Sequence, residues 1–108
     1  MYQVLLTDDF RDDCANVRKR GRTDYDRVKS AVYSMKSQPI LGSKFLTGNL
    51  KGKRSKRIGN IRMVFAVCHE CHNNGHLMYN GCAICPEITD LNTVIMFAVK
   101  DRKEVYEV

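Results

Sequence analysis

Apolar residues fall along this chain in two rhythms. Through residues 10–35 they recur every three or four positions, and elsewhere they gather in short runs of strand length. Residues 2–6, Tyr-Gln-Val-Leu-Leu, form the first such run and predict a first strand. Phe10, Cys14 and Val17 then mark one face of a helix. Thr7 precedes it as an N-cap, Asp8 and Asp9 complement the dipole in its first turn, and Gly21 ends it. Tyr25, Val28, Val32 and Met35 mark a second helix, with Thr23 and Asp26 as a capping pair and Pro39 beyond its end. Residues 41–52 read as a polar connector, with Phe45, Leu46 and Leu50 packing beneath it.

Residues 53–58 make a basic strand. Its period of two sets Lys53, Ser55 and Arg57 on one face and Arg54, Lys56 and Ile58 on the other. Gly59-Asn60 is a turn signal, and Met63 to Val67 follow as an uninterrupted apolar strand. Arg62 stands at its entrance, where a charge needs a ligand or a mouth open to water. Residues 93–99 give another strand and residues 104–108 a last short one. A strand, two helices and a meander of strands define an α+β domain.

At 108 residues the chain fits one domain. Its longest apolar run, residues 94–99, is strand-length, so no membrane span is expected. The start meets two aspartates without a basic region, unlike a signal peptide, and a cytoplasmic location is expected. The net charge of +6 is unevenly spread. Residues 27–69 carry ten cations (Arg27, Lys29, Lys36, Lys44, Lys51, Lys53, Arg54, Lys56, Arg57 and Arg62) and no acid. That imbalance favours a polyanionic partner, because phosphate contacts gain from counterion release. An acidic protein would answer the same field.

Cys68-His69-Glu70-Cys71 and Cys82-Ala83-Ile84-Cys85 are separated by ten residues. Two CxxC pairs at this spacing predict a structural Zn²⁺ held by Cys68, Cys71, Cys82 and Cys85, each pair forming a tight knuckle turn. Four thiolates close the coordination sphere and leave no open position for catalysis, although His69, His72 and His76 lie near enough to exchange with a cysteine. Cys14, on a helix face, reads as a small core residue.

The order of elements resembles that of the RelE/ParE toxins of bacterial and archaeal toxin–antitoxin pairs. The resemblance rests on Leu46-Thr47-Gly48-Asn49-Leu50-Lys51-Gly52, on Arg57-Ile58-Gly59-Asn60-Ile61-Arg62-Met63-Val64-Phe65, and on residues 94–106, Val-Ile-Met-Phe-Ala-Val-Lys-Asp-Arg-Lys-Glu-Val-Tyr. It spans nearly the whole chain except residues 68–92, which read as a zinc-knuckle insertion in a hairpin of a single domain, residues 1–108. It implies two N-terminal helices packed on a small, curved, mostly antiparallel sheet. RelE-like members cut messenger RNA on the ribosome, whereas ParE-like members act on DNA gyrase without nuclease chemistry; both are held by antitoxins. By position, the resemblance carries Lys53, Arg57, Arg62, Lys100, Arg102 and Tyr106 into the active surface. Ser55 stands where the best-known nucleases place a second lysine, and Asp101 where many members have histidine.

RNA needs no metal to be cut, since its own 2′-OH can attack the adjacent phosphate. The reaction asks for a base, an acid, and cations for the charge that develops on phosphorus. All three histidines fall in the insertion, which leaves lysines and Tyr106 for proton transfer and arginines as phosphate clamps. The expected catalytic set is Arg62, Arg57, Lys53, Lys100 and Tyr106, with Lys51, Arg54, Lys56 and Arg102 contacting RNA. Bland readings stand beside these: an edge strand protected by charge for residues 53–56, and a half-buried terminal aromatic for Tyr106. The expected function is a ribosome-dependent endoribonuclease toxin with an antitoxin partner. The alternatives are a gyrase-directed toxin on the same scaffold and a zinc-containing nucleic-acid-binding module.

Overall fold

Thr7 joins the first strand, the first helix and the centre of the sheet. Its hydroxyl accepts from the Phe10 amide (3.2 Å) and donates to the Met96 carbonyl (2.9 Å), and its own amide reaches that carbonyl at 3.2 Å. The computed structural model describes residues 1–46, 52–73 and 90–101. Strand β1, Gln3–Leu6, leads through this cap into α1, Asp8–Arg20. Gly21 ends α1, its amide reaching the Val17 carbonyl, and at once begins α2, Arg22–Ser34. The expected cap at Thr23 is corrected: Thr23 lies inside α2, and Gly21 takes the N-cap place without a side-chain bond. One residue suffices to reverse the chain, so the helix starts earlier than its capping signature.

The connector also holds a strand that was not expected, β2, Ser43–Phe45. It is too short and too polar to show a period of two, and pairing with a neighbour defines it. The remaining elements are β3, Arg54–Ile58; β4, Ile61–Val67; α3, Cys68–Asn73; and β5, Thr93–Asp101. They form one mixed sheet in the order β1-β5-β4-β3-β2, parallel only between β1 and β5. The α+β class thus holds, with three helices on five strands among the described residues.

Alternation decides which face carries the helices. Ile61, Met63, Phe65 and Val67 of β4 join Val94, Met96 and Val99 of β5 against Phe10, Val17, Val28 and Met35. Burial of so many large side chains supplies the main favourable term for folding. The even positions of β4 therefore face the other way. There Leu46 and Val64 form a second, smaller cluster with Phe97 and Ala98. The β4–β5 register runs from Val64↔Ala98 to Phe65↔Met96, skipping Phe97, so a bulge adds Phe97 to this second face. No helix among the described residues is long and apolar enough to cross a membrane.

Candidate functional site

The tight turn after β3 creates the site. Gly59 has a φ of 59°, the left-handed region that glycine enters without strain. A Cβ there would also stand 2.8 Å from a guanidinium nitrogen of Arg27, which reaches over the turn from α2. With Gly59-Asn60 as the loop, Ile58 pairs with Ile61 and Arg57 with Arg62, and Arg62 pairs on its other side with Lys100. Because Ile61 and Met63 face the helices, Arg62 faces away from them, and its register partners Arg57 and Lys100 share that face. Three cations thus stand in one row across β3, β4 and β5. Like charges directly opposite each other destabilise a sheet, so a row of this kind has its best use with an anion upon it.

The three differ in setting. Arg62 is only 6% exposed, so it is not at the open mouth the sequence suggested but enclosed within the site. Arg57 is exposed and donates through Nε to the Gly59 carbonyl at 3.0 Å, which turns the guanidinium toward the hairpin end. Lys100 is exposed, with Nζ 4.0 Å from Asp13 Oδ1, while Asp13 Oδ2 accepts the Val99 amide at 3.1 Å. Asp13 therefore ties α1 to β5 beside the row. Next along the same face come Ser55, Val64 and Ala98, with Lys44 on β2 opposite Ser55. Ser55 is 1% exposed, and its hydroxyl has no hydrogen-bond partner among the described residues. Where the resemblance would place a lysine, this position is buried and carries no charge of its own. Lys53 lies just before β3 with Nζ 4.4 Å from the centre of the Phe97 ring, joining a cation to the apolar end of the face.

Other expected residues are elsewhere. Arg54 and Lys56 pair with Phe65 and Met63, which puts them on the helix side of the sheet, away from the row. Arg54 there makes a two-pronged ion pair with Glu70 (Nε–Oε1 2.7 Å, Nη2–Oε2 2.6 Å), donates to Ser43 Oγ, and lies 3.9 Å over the Phe45 ring. Phe45, expected to pack beneath the connector, is instead 47% exposed, with this guanidinium against it. Lys51, Arg102 and Tyr106 lie outside the described residues, as do Cys82 and Cys85. Cys68 and Cys71 open α3, one helical turn apart and both buried; the expected knuckle turn is a six-residue helix. The Cys71 thiol donates weakly to the Gly52 carbonyl at 3.7 Å.

Sequence reasoning missed three contributors. Arg27 reaches the hairpin turn, Asp13 meets Lys100, and Glu70 engages Arg54. Each acts across elements, so no local pattern announces it; an aspartate inside a helix looks the same whether it faces water or a strand edge.

The chain matches no protein-family model and no curated protein sequence. Its three-dimensional form is shared with toxin–antitoxin proteins. A chain of the RelBE2 toxin–antitoxin complex of Mycobacterium tuberculosis superposes with a TM-score of 0.64 at 20% identity, covering 94% of this chain and 98% of that one. The YoeB/ParE toxin of Agrobacterium tumefaciens gives 0.64 at 13% identity, covering 93% and 98%. A chain of the YoeB–YefM complex of Staphylococcus aureus gives 0.59 at 15% identity, covering 93% and 95%. At such identities the likeness is one of fold: the chain has the fold of the RelE/YoeB/ParE toxins over most of its length.

Proposed function

We propose that this chain is the toxin of a toxin–antitoxin pair and acts as a metal-independent endoribonuclease on ribosome-bound messenger RNA. The observation that carries this reading is the row Arg57–Arg62–Lys100 on the sheet face left open by the helices. A phosphodiester laid across it meets two guanidinium groups with bidentate geometry and one ammonium. The shared fold supports the toxin role, and the complexes with antitoxins among its relatives in form support an antitoxin partner.

In the proposed reaction the substrate's 2′-OH attacks the adjacent phosphorus, and the bond to the 5′ oxygen breaks. Arg62, enclosed on its strand, holds the charge that grows on the non-bridging oxygens. Arg57, at the exposed hairpin end, positions the RNA. Lys100 and Lys53 serve in proton transfer or as further phosphate contacts, and Tyr106 as base or stacking platform. Arg54 is given a structural role, as the partner of Glu70. The test is primer extension on a message in a translating extract, with a gyrase supercoiling assay on the same protein. Cuts that appear only during translation, with supercoiling unaffected, are expected. Lost supercoiling without cuts moves the chain to the gyrase-directed reading.

We also propose one structural Zn²⁺ bound by Cys68, Cys71, Cys82 and Cys85. The buried pair at the start of α3 fits half of such a site: two thiols one turn apart, beside the end of β4, with Arg54–Glu70 holding the helix in place. Binding would remove the Cys71 proton now directed at Gly52. The metal would fix the connection between β4 and β5 and take no part in the chemistry.

A further inference from the structure

Strand β1 ends early. Its last pair is Leu6↔Met96, so beyond Met96 the outer edge of β5 has no strand beside it among the described residues. α1 packs along that edge instead. Helical spacing puts Asp13, Asn16 and Arg20 on one face, next to the core positions Phe10, Cys14 and Val17. Asp13 Oδ2 covers the edge by accepting the Val99 amide at 3.1 Å. Farther along, Arg20 Nη1 donates to Asp101 Oδ2 at 2.9 Å. Asp101 stands where the resemblance has a histidine, so this second tie comes from a departure in this sequence. Beside the two ties lies a cavity of about 250 Å³ lined by Asp13, Asn16, Arg20, Val99 and Lys100. Lys100 is also the last member of the cationic row, so the cavity adjoins the proposed phosphate site.

We infer that this cavity receives a guanine of the message, on a nucleotide next to the scissile phosphate. The inference rests on the nuclease reading and gives that site a base preference. The lining combines a group that only accepts with groups that donate. The Asp13 carboxylate only accepts, and its Oδ1 stands 4.0 Å from Lys100 Nζ at the cavity wall. Arg20 gives Nη1 to Asp101, which leaves Nε and Nη2 as a two-donor edge. Asn16, exposed, brings an amide that both donates and accepts. Guanine answers this pattern, with two adjacent donors (N1–H and the N2 amino group) for a carboxylate and two adjacent acceptors (O6 and N7) for a guanidinium fork. Adenine and cytosine offer the carboxylate one amino group, and uracil one N–H. Single-stranded RNA is read in this way, by hydrogen bonds to exposed base edges. A further backbone phosphate fits less well, since the Asp13 carboxylate would repel it. A phosphate held by Arg62 and Lys100 on the row would keep its base beside the same lysine.

The test titrates the full chain, labelled for NMR, with four trinucleotides that have uridine at both ends and guanine, adenine, cytosine or uracil in the middle. All carry 2′-O-methyl groups, so no 2′-OH attack can cut them. The guanine trinucleotide should bind at least fivefold more tightly than the other three and shift the amides of Asn16, Arg20 and Lys100 saturably. Asp13→Asn keeps an oxygen for the Val99 amide but exchanges the other acceptor for a donor. It should abolish the preference while the spectrum keeps its dispersion. Arg20→Met should lower the guanine affinity to that of the other bases. Equal binding of the four, an undiminished preference in Asp13→Asn, or guanine-dependent shifts confined to the hairpin end at Arg57 overturns the inference. Guanosine monophosphate that binds as tightly as the guanine trinucleotide also overturns it and assigns the cavity to a free nucleotide. No arm involves cleavage. A chain that cuts ribosome-bound message but binds the four equally therefore keeps the nuclease reading and loses only the base preference. Guanine-selective binding at the cavity by a chain that cuts nothing supports the guanine site and removes the nuclease.

Discussion

Arg62 is the residue on which the proposed chemistry depends, and its burial sharpens what a substitution should do. One lost donor to a developing charge is typically worth ~3 kcal/mol, so Arg62→Ala should slow cleavage roughly a hundredfold or more. Arg62→Lys keeps the charge but not the fork, and should recover only part of the rate. Arg22, exposed at the start of α2 and paired with Asp26, is the control, and Arg22→Ala should leave the rate unchanged. The pair Arg57 and Arg62 was legible in the sequence because a Gly-Asn turn between strands fixes the register of what flanks it. Lys100 joined them there only through the resemblance; the register now places it beside Arg62. Arg54 shows the limit of such reading. Within the run Lys53-Arg54-Ser55-Lys56-Arg57, alternation tells which face each side chain takes, but not that Glu70, sixteen residues on from Arg54, is waiting on one of those faces.

At the scale of elements, the strongly patterned pieces were foreseeable and the paired ones were not. Thr7, Asp8 and Asp9 announce α1, and four core positions announce α2. β2 and α3 lack any such pattern, since β2 is an edge strand made by pairing and α3 is one and a half turns held by contacts. The Arg54–Glu70 pair is one such hold, with side chains only 11% and 14% exposed. Glu70→Ala would leave a buried guanidinium without its carboxylate and should cost about 3 kcal/mol. Urea unfolding measures this, and Arg54→Met combined with Glu70→Leu should regain most of the loss. Equal stabilities for wild type and Glu70→Ala would show that the pair does not hold α3. Metal analysis of protein purified without chelator should find about one zinc per chain, and chelation should lower the melting temperature. Four freely titrating thiols in the folded, metal-free protein would contradict the zinc proposal.

The whole molecule is a sheet with different side chains on its two faces. One side carries the helices, with a groove between them lined by apolar and cationic residues; the other carries the cationic row. The acid-free span of residues 27–69 gave the excess charge, but only the fold divides it between the helix side and the other face of the sheet. Binding of single-stranded RNA to the row should weaken with salt, and Arg57→Ala and Lys100→Ala should each lower the slope of log K against log salt by about 0.7. A slope unchanged in both variants would remove the row from the RNA interface. The most direct measurement of the central claim is the rate at which ribosome-bound message is cut by wild type, Arg62→Ala and Arg22→Ala, each shown to be folded by its unfolding transition. The account predicts translation-dependent cleavage by wild type and Arg22→Ala at the same rate, and by Arg62→Ala at about a hundredth of it or less. Cleavage by folded Arg62→Ala at the wild-type rate, or no cleavage by wild type, would contradict it.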